Sequence, residues 1–380
     1  MTSNRNCHYP LQQNNALTFC LLAAFLPLGS TFGVIFSWCI FPIFSIITTV
    51  LHSRRFQRRG ILFFFFSIII LISNYFITVQ YVDFNKKLEF NLFLAIIGCF
   101  YVSISLFSVR LNFFSLIKAI DKVLFVNLVL FSIQFIAYYA LHFKIDYSQM
   151  TGGIGTRNDY GSIFRASGIF NEPAEYSSAM AVLVTIRYLI SSKIKKLHYI
   201  SLLTMLLSFS FVGVFQAVAI FFIVNFGKIK RNPIYIFPIV IVLCVVFFAF
   251  HDLFIQRYDA FMLGNDGSNN TKIDTFNFFI NNPDYLYGGA GLIGYDPETM
   301  PLFMQGLYDV TFFGSCITVF GVYIGGLLSL LMIIFLLLHY KKSEILIILV
   351  CLAKINVMIY ASYWFFIIAI FIIPKLRKDI

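Results

Sequence analysis

The sequence has little charge. Only 12% of its 380 residues are Asp, Glu, Lys or Arg, whereas soluble domains carry about 25%. It has two tryptophans, and its seven cysteines form no C-x-x-C pair, so neither a disulfide scaffold nor a cysteine-bound metal is expected. A chain this poor in charge cannot cover a surface that faces water, which excludes a soluble enzyme and a disordered tail.

Apolar residues take the place of the missing charge. They make up 59% of the chain, with 48 Phe and 21 Tyr, and the mean hydropathy is +0.85. The apolar runs have the length of about 17–25 residues that a helix needs to cross a bilayer. The sequence therefore predicts an all-α polytopic membrane protein, a single integral membrane domain over residues 1–380. The predicted spans lie at about 16–30, 33–51, 61–82, 91–109, 123–143, 177–192, 199–213, 214–227, 234–250, 311–338, 344–355 and 357–373.

Two pairs of these spans have a second interpretation. The pair between residues 199 and 227 could be one bent helix, and the last two spans could merge. Polar residues inside the spans, Gln134, Gln216 and Asn225, are interpreted as hydrogen-bond partners between helices, with a groove lining as the alternative. The spacing Gly321-x-x-x-Gly325 predicts close packing of one helix on another.

Most basic residues lie in every second loop between the predicted spans. With twelve transmembrane helices and both termini in the cytoplasm, 20 of the 28 basic residues and only 3 of the 17 acidic residues fall on the inner side. This asymmetry is the one that the positive-inside rule requires. Because the net charge of +11 is spread over several inner loops rather than one surface, we expect membrane lipid and no nucleic acid as a partner.

Two outer segments are much longer than the inner loops, at residues 144–176 and 251–310. Both are rich in Gly, Asn, Asp, Pro and Tyr. A carrier or flippase, which moves its substrate without forming a bond, would more often place ionisable residues within its spans, and these spans are nearly free of charge. The two large loops, on the periplasmic side of a bacterial inner membrane, are therefore the expected place for chemistry on a polar substrate.

The first loop ends in Arg-Ala-Ser-Gly-Ile-Phe-Asn-Glu-Pro at residues 165–173, directly before a span. Asn171 is the predicted N-cap of the following helix, and Pro173 fits its first turn. Gly168 allows the backbone to turn tightly before the helix. An Arg165 fork beside a helix N-terminus would form an anion site suited to phosphate.

A second interpretation of the same stretch needs no ligand. Glu172 and Glu175 would complement the positive end of the helix dipole, and one of them would pair with Arg165. The sequence leaves both interpretations open.

The second loop carries two bases, Arg257 and Lys272, among eight acidic residues. Each could be a ligand contact or a salt-bridge partner. Gly289 and Gly291 belong to a Gly-x-Gly-x-x-Gly pattern, but no βαβ unit surrounds it. We interpret these glycines as a turn that approaches a ligand or packs beneath the loop. No Asp-x-Asp pair or His cluster is present, so no metal site is expected.

These features resemble the O-antigen polymerase and ligase superfamily. Residues 165–173 resemble its R-x-x-G-x-F-x-x-P segment, residues 207–210 its short serine-containing stretch, and residues 282–291 its NP…GxG stretch. The resemblance also covers the topology of the whole chain, with about twelve spans and two large periplasmic loops.

The resemblance implies glycosyl transfer between two undecaprenyl-diphosphate-linked saccharides, a donor and an acceptor, without a cofactor. A flippase and a chain-length regulator are candidate partners. Ligases of the superfamily depend on a histidine near the end of the second loop, and residues 304–309 contain none. The resemblance thus favours a polymerase, with a ligase or a flippase as alternatives.

The chemistry of this reaction suggests a hypothesis for the roles of individual residues. Arg165 and Arg257 would contact the diphosphate and converge on one cavity, with Lys272 where the family often has a second arginine. Glu172 would orient or deprotonate the acceptor hydroxyl. The residues predicted to contact substrate are Gly168, Asn171, Lys272, Gly289, Gly291, Tyr308 and Asp309.

Overall fold

A computed structural model describes most of the chain. The described residues are 9–26, 30–53, 55–82, 87–153, 158–160, 163–237, 240–241, 244, 247–248, 251, 255, 258–259, 262–264, 269–293, 301, 304, 306–307 and 310–377.

Helices make up nearly all of the regular structure in these residues. In chain order they are α1 Tyr9–Phe25, α2 Thr31–His52, α3 Arg58–Thr78, α4 Leu88–Leu106, α5 Phe113–Tyr139, α6 Tyr147–Met150, α7 Pro173–Ser191, α8 Lys196–Leu207, α9 Phe211–Arg231, α10 Asn269–Asn281, α11 Pro283–Gly288, α12 Phe312–His339, α13 Lys342–Leu352 and α14 Ala361–Leu376. Two-residue strands, β1 Asp159–Tyr160 and β2 Ile163–Phe164, form an antiparallel pair within the first predicted loop.

Five helices in the described part of the chain are long and apolar enough to cross a membrane: α2, α3, α4, α9 and α12. Their lengths of 19 to 28 residues are close to those of the apolar runs in the sequence. The prediction of a helical protein with apolar helices of membrane-spanning length is confirmed at this level.

The two uncertain pairs of spans are separate helices. Helices α8 and α9 are divided by a turn at residues 208–210, where Phe209 has a left-handed φ of 53°. Helices α13 and α14 are divided by an irregular segment at residues 353–360. Neither the single bent helix nor the merged helix occurs.

The chain divides into two compact units. The first comprises residues 1–62, 100–246 and 364–380, and the second comprises residues 63–99 and 247–363. In the first unit, α1 packs against α2 and α5, and α7 packs against α5, α8 and α9. Helix α7 is buried along almost its whole length, so its apolar side chains contact protein rather than lipid.

In the second unit, α11 packs against α12 and α10. A small buried cluster joins the second predicted loop to the end of α3. It consists of Val82, Phe279, Ala290, Ile293 and Met304. This part of the loop therefore has a fixed position within its unit.

Candidate functional site

The stretch that carries Arg165 follows the small hairpin and is anchored by it. The Arg165 backbone N–H donates to the Asn158 carbonyl at 2.8 Å. The Ser167 hydroxyl lies 2.9 Å from Asn158 Oδ1 and 2.7 Å from the Phe170 carbonyl, and its single proton can serve either acceptor. Arg165 is half-buried, whereas residues 166–170 are buried. The arginine is thus held at the edge of a packed turn.

Gln134 of α5 holds this turn against the helix. Its Oε1 accepts the backbone N–H groups of Ser167 and Gly168, both at 2.8 Å, and its Nε2 donates to the Ile145 carbonyl at 3.0 Å. The prediction that Gln134 bonds between helices is wrong, because all three of these bonds go to loop backbone. A buried polar group without a partner costs about 1–3 kcal/mol, so Gln134 stabilises this path of the loop.

Gly168 supplies the predicted turn. Its φ of +59° lies in the left-handed region, which favours glycine. A Cβ at this position would meet the Phe131 backbone nitrogen only at 3.5 Å, so the dihedral angle rather than space requires the glycine. Beneath the turn, the rings of Phe131 and Tyr176 stack with centroids 4.7 Å apart, and the Tyr176 hydroxyl donates to Thr204 Oγ1 at 2.8 Å.

Helix α7 begins one residue later than the sequence suggested. Its N-cap is Glu172, with φ −136° and ψ 145°, and Pro173 is the first helical residue. The prediction of Asn171 as N-cap is wrong, because the residue before a proline favours extended backbone and therefore takes the cap position. The Glu172 side chain does not cap the helix, and its carbonyl accepts the N–H groups of Glu175 and Tyr176. Glu172 is half-buried, as Arg165 is.

Of the two basic residues named in the second loop, the structure describes only Lys272. Lys272 is a half-buried residue of α10 in the second unit, whereas Arg165 belongs to the first unit. Arg257, Tyr308 and Asp309 lie outside the described residues. The roles assigned to these residues from the sequence stay predictions.

Gly289 and Gly291 approach protein backbone and side chains closely. Both are buried and have positive φ, +82° and +71°. A Cβ on Gly289 would overlap the Val319 carbonyl, and one on Gly291 would lie 2.7 Å from Thr78 Oγ1. Of the two interpretations of this glycine-rich turn, the geometry supports packing beneath the loop. Contact with a substrate stays a prediction.

These glycines pack on a break in helix α12. Gly321, inside α12, has φ 78° and ψ 169°, which interrupts the helical hydrogen bonds. The freed Thr318 carbonyl accepts the Ala290 N–H at 2.7 Å, and the Val319 carbonyl accepts the Gly291 N–H at 3.1 Å. The loop thereby satisfies backbone groups that a break inside a membrane helix would otherwise leave without partners.

The same break explains the Gly321-x-x-x-Gly325 spacing. A Cβ on Gly321 would overlap the Tyr287 carbonyl of α11, and one on Gly325 would overlap the Cys316 carbonyl of the same helix. The prediction of close helix packing is confirmed at Gly321, which contacts the C-terminal end of short α11, whereas Gly325 contacts its own helix on the other side of the break. Asn225, by contrast, bonds α9 to α8 through the Tyr199 hydroxyl at 2.8 Å, as predicted.

A small cavity of about 40 Å³ lies in the second unit. Its lining comes from residues 291–293 and 356–359, together with Leu307, Ser315, Thr318 and Val319. The Ser315 hydroxyl donates to the Asn356 carbonyl at 2.7 Å, and most of the other lining side chains are apolar. Gly291 is the predicted substrate residue in this lining.

Two polar arrangements in the first unit have no counterpart in the sequence-based predictions. Ser177 Oγ and Ser208 Oγ are 2.9 Å apart, which joins the start of α7 to the end of α8. Asp121 of α5 lies 3.3 Å from Arg187 Nε, 3.2 Å from His198 Nε2 and 3.8 Å from Lys195 Nζ. A signal for the second arrangement existed, because Asp121 is one of few acidic residues on the predicted inner side.

Within the described residues, no group of three or more His, Cys, Asp or Glu side chains could hold a metal ion. The chain matches no protein-family model and no curated protein. The resemblance to the O-antigen polymerase and ligase superfamily therefore rests on the motif order and the predicted topology.

Proposed function

We propose that the chain is an O-antigen polymerase. It transfers a growing saccharide from undecaprenyl diphosphate to the terminal sugar of a new lipid-linked repeat unit. In this proposal the chain crosses the bacterial inner membrane twelve times with both termini in the cytoplasm, and the loops at residues 144–176 and 251–310 face the periplasm. The apolar helices support a membrane location, and the distribution of basic residues supports the orientation.

The observation that carries the proposal is the stretch at residues 165–173. Its residue order resembles the superfamily segment, and its fold suits the proposed role. Arg165 and Glu172 stand at the two ends of one turn, both half-buried, and Gln134 holds the middle of that turn. A cation and a carboxylate held at a helix start suit a reaction between an anionic leaving group and a hydroxyl nucleophile.

The proposed step balances without a cofactor. The acceptor hydroxyl oxygen attacks the anomeric carbon of the donor, the bond from that carbon to the phosphate oxygen breaks, and undecaprenyl diphosphate leaves. The hydroxyl proton passes to the Glu172 carboxylate. Arg165 stabilises the negative charge that develops on the departing diphosphate. Because a diphosphate is already a good leaving group, charge stabilisation and orientation are the main needs of this reaction.

Substitution of Arg165 tests the proposal. We expect Arg165→Ala to lower the polymerisation rate by about 10²–10³-fold, as loss of one electrostatic contact to a transition state does. Arg165→Lys should retain part of the activity, since a lysine keeps the charge but not the planar fork. The measurement is the O-chain ladder on a gel, together with the amount of each variant in the membrane.

Lys144→Ala is the matched control from the same loop. Lys144 pairs with Asp159, and both side chains are about half-exposed, so the pair contributes little and the ladder should stay normal. A normal ladder from a well-expressed Arg165→Ala variant would contradict the proposal.

Deletion of the chain distinguishes the alternatives. Loss of a polymerase leaves core with one repeat unit. Loss of a ligase leaves bare core while lipid-linked polymer accumulates, and loss of a flippase leaves bare core without polymer.

A further inference from the structure

Helix α10, in the second predicted loop, has apolar residues on two faces. One face is occupied by protein: Phe279 is buried in the cluster with Ala290 and Met304, and the Phe278 ring packs edge-on to Tyr285 with centroids 4.9 Å apart. Gly306 lies against the same face, because a Cβ there would come within 2.5 Å of Thr275 Oγ1. These contacts fix the rotation of α10 about its own axis.

The second apolar face points outward. Ile273, Phe276 and Ile280 are 48%, 66% and 52% exposed. Their spacing of three and four residues places them in one stripe along the helix. Because the opposite face is already packed, the exposed stripe cannot turn into the protein core.

Polar residues border the stripe on one side. Asp274, Asn277 and Asn281 are exposed and follow the apolar residues around the helix. A helix with an exposed apolar stripe beside a polar one is typical of a helix that lies in a membrane surface, with its apolar side about 5–10 Å into the boundary between headgroups and acyl chains.

The stripe belongs to the same unit as a lipid-facing helix. Tyr287 of α11, which follows α10 directly, stacks on Tyr323 of α12 with centroids 5.4 Å apart and an interplanar angle of 12°. Both rings are largely exposed, and tyrosine favours the membrane–water interface. From Tyr323 an exposed apolar stripe continues along α12 through Leu327 and Leu331.

We propose that α10 is an interfacial helix, whose Ile273, Phe276 and Ile280 face inserts among phospholipids at the membrane surface. The Tyr287–Tyr323 pair marks where this surface joins the lipid-facing stripe of α12. A second copy of the chain is a poorer occupant, since three partly exposed side chains offer far less than the roughly 800 Å² per partner of a stable interface.

Quenching of the fluorescence of a single tryptophan by brominated lipid tests the proposal. The two native tryptophans, Trp38 and Trp364, are replaced by phenylalanine, and Phe276→Trp is introduced into this background. The purified chain is reconstituted in phosphatidylcholine vesicles with and without bromine on the acyl chains. We expect blue-shifted emission that brominated lipid quenches strongly and that aqueous iodide leaves unchanged.

Asn277→Trp in the same background is the matched control. It lies one position along the helix on the polar border, so its emission should be red-shifted and quenched by iodide. If the background variant does not elute as a single species in detergent, Phe276→Trp is introduced into the native chain and the parent emission is subtracted.

Two results would overturn the proposal. If iodide but not brominated lipid quenches the emission of the Phe276→Trp variant, the stripe lies in water. Resistance to both quenchers would mean that protein covers it, and a second copy would then be the occupant, since the vesicles contain no other chain.

Discussion

Asp121 is held ionised by the groups around it. Burial by itself would raise the pKa of this carboxyl, but a hydrogen bond from His198 and the positive charges of Arg187 and Lys195 outweigh burial, and the pKa of Asp121 is lowered. The His198 tautomer agrees with this: its Nδ1 accepts the Lys195 backbone N–H at 3.1 Å, which leaves Nε2 as the donor toward Asp121. The residue precedes the apolar run predicted to begin at residue 123.

The sign of the shift sets a pH dependence of stability. A carboxyl whose pKa is lower in the folded state stabilises the protein above its unfolded pKa of about 3.9, and this stabilisation is lost as the pH falls through the folded value. We expect Asp121→Asn to lower the free energy of unfolding by about 2 kcal/mol at neutral pH, because Arg187 is left buried without its carboxylate. The difference should shrink as the pH falls below about 4.

Thermal unfolding in detergent at a series of pH values measures this. Asp159→Asn is the control, since its pair with Lys144 is exposed on both sides and should contribute at most about 1 kcal/mol. A difference between wild type and Asp121→Asn that stayed constant down to low pH would contradict the assignment.

The sequence indicated which residues matter in the first loop better than it indicated their hydrogen-bond partners. Arg165, Gly168 and Glu172 were singled out from their order along the chain, and the left-handed Gly168 was predicted correctly. Gln134 was assigned to the wrong partner, because its acceptors and donors lie up to 34 residues away in the loop and no local pattern shows them. The N-cap was misplaced by one residue because the restriction imposed by Pro173 outweighed the capping preference of Asn171.

Among the elements, α12 depends most on a single backbone position. Gly321→Ala would place a Cβ against the Tyr287 carbonyl and would hold an alanine at φ 78°. We expect a loss of about 3 kcal/mol in the free energy of unfolding, since both strain and overpacking oppose the change. The hydrogen bonds donated by the Ala290 and Gly291 amides should weaken together with this loss of stability. Faster hydrogen exchange of those two amides would report the weakening.

Gly326→Ala in the same helix is the control. A Cβ there would meet nothing within 4 Å, and alanine is a better helix former by about 1 kcal/mol, so stability should stay equal or rise. Equal stability of the two variants would mean that the break at Gly321 is not needed.

The sequence predicted the positions of these helices more accurately than it predicted the breaks within them. The predicted spans at 33–51 and 311–338 correspond to Thr31–His52 and Phe312–His339, because the length of an apolar run is a local property. The break inside α12 was not predicted, since an isolated Gly321 in an apolar run is equally typical of helix packing. The Gly289 turn that fills the break comes from a different part of the chain.

At the scale of the whole molecule, the distribution of charge predicts the orientation. Because lysine and arginine are retained on the cytoplasmic side, a reporter enzyme that is active only in the periplasm should be active when fused after Gly152 and inactive when fused after Lys342. A second reporter that fluoresces only in the cytoplasm should give the opposite result at both positions. Activity of the same reporter at both sites would contradict the alternating arrangement of twelve spans.

The sequence by itself determined that this chain is helical and that several of its helices are long and apolar enough to cross a membrane, because hydrophobic transfer energy depends on which residues are present and on how long each run is. It also indicated the stretch at residues 165–173 as the candidate site. Only the tertiary structure decided which groups satisfy the buried backbone: Gln134 for the first loop, and the carbonyls freed at Gly321 for the second. Hydrogen bonds require partners at about 3 Å, and chain folding brings those partners together from distant positions.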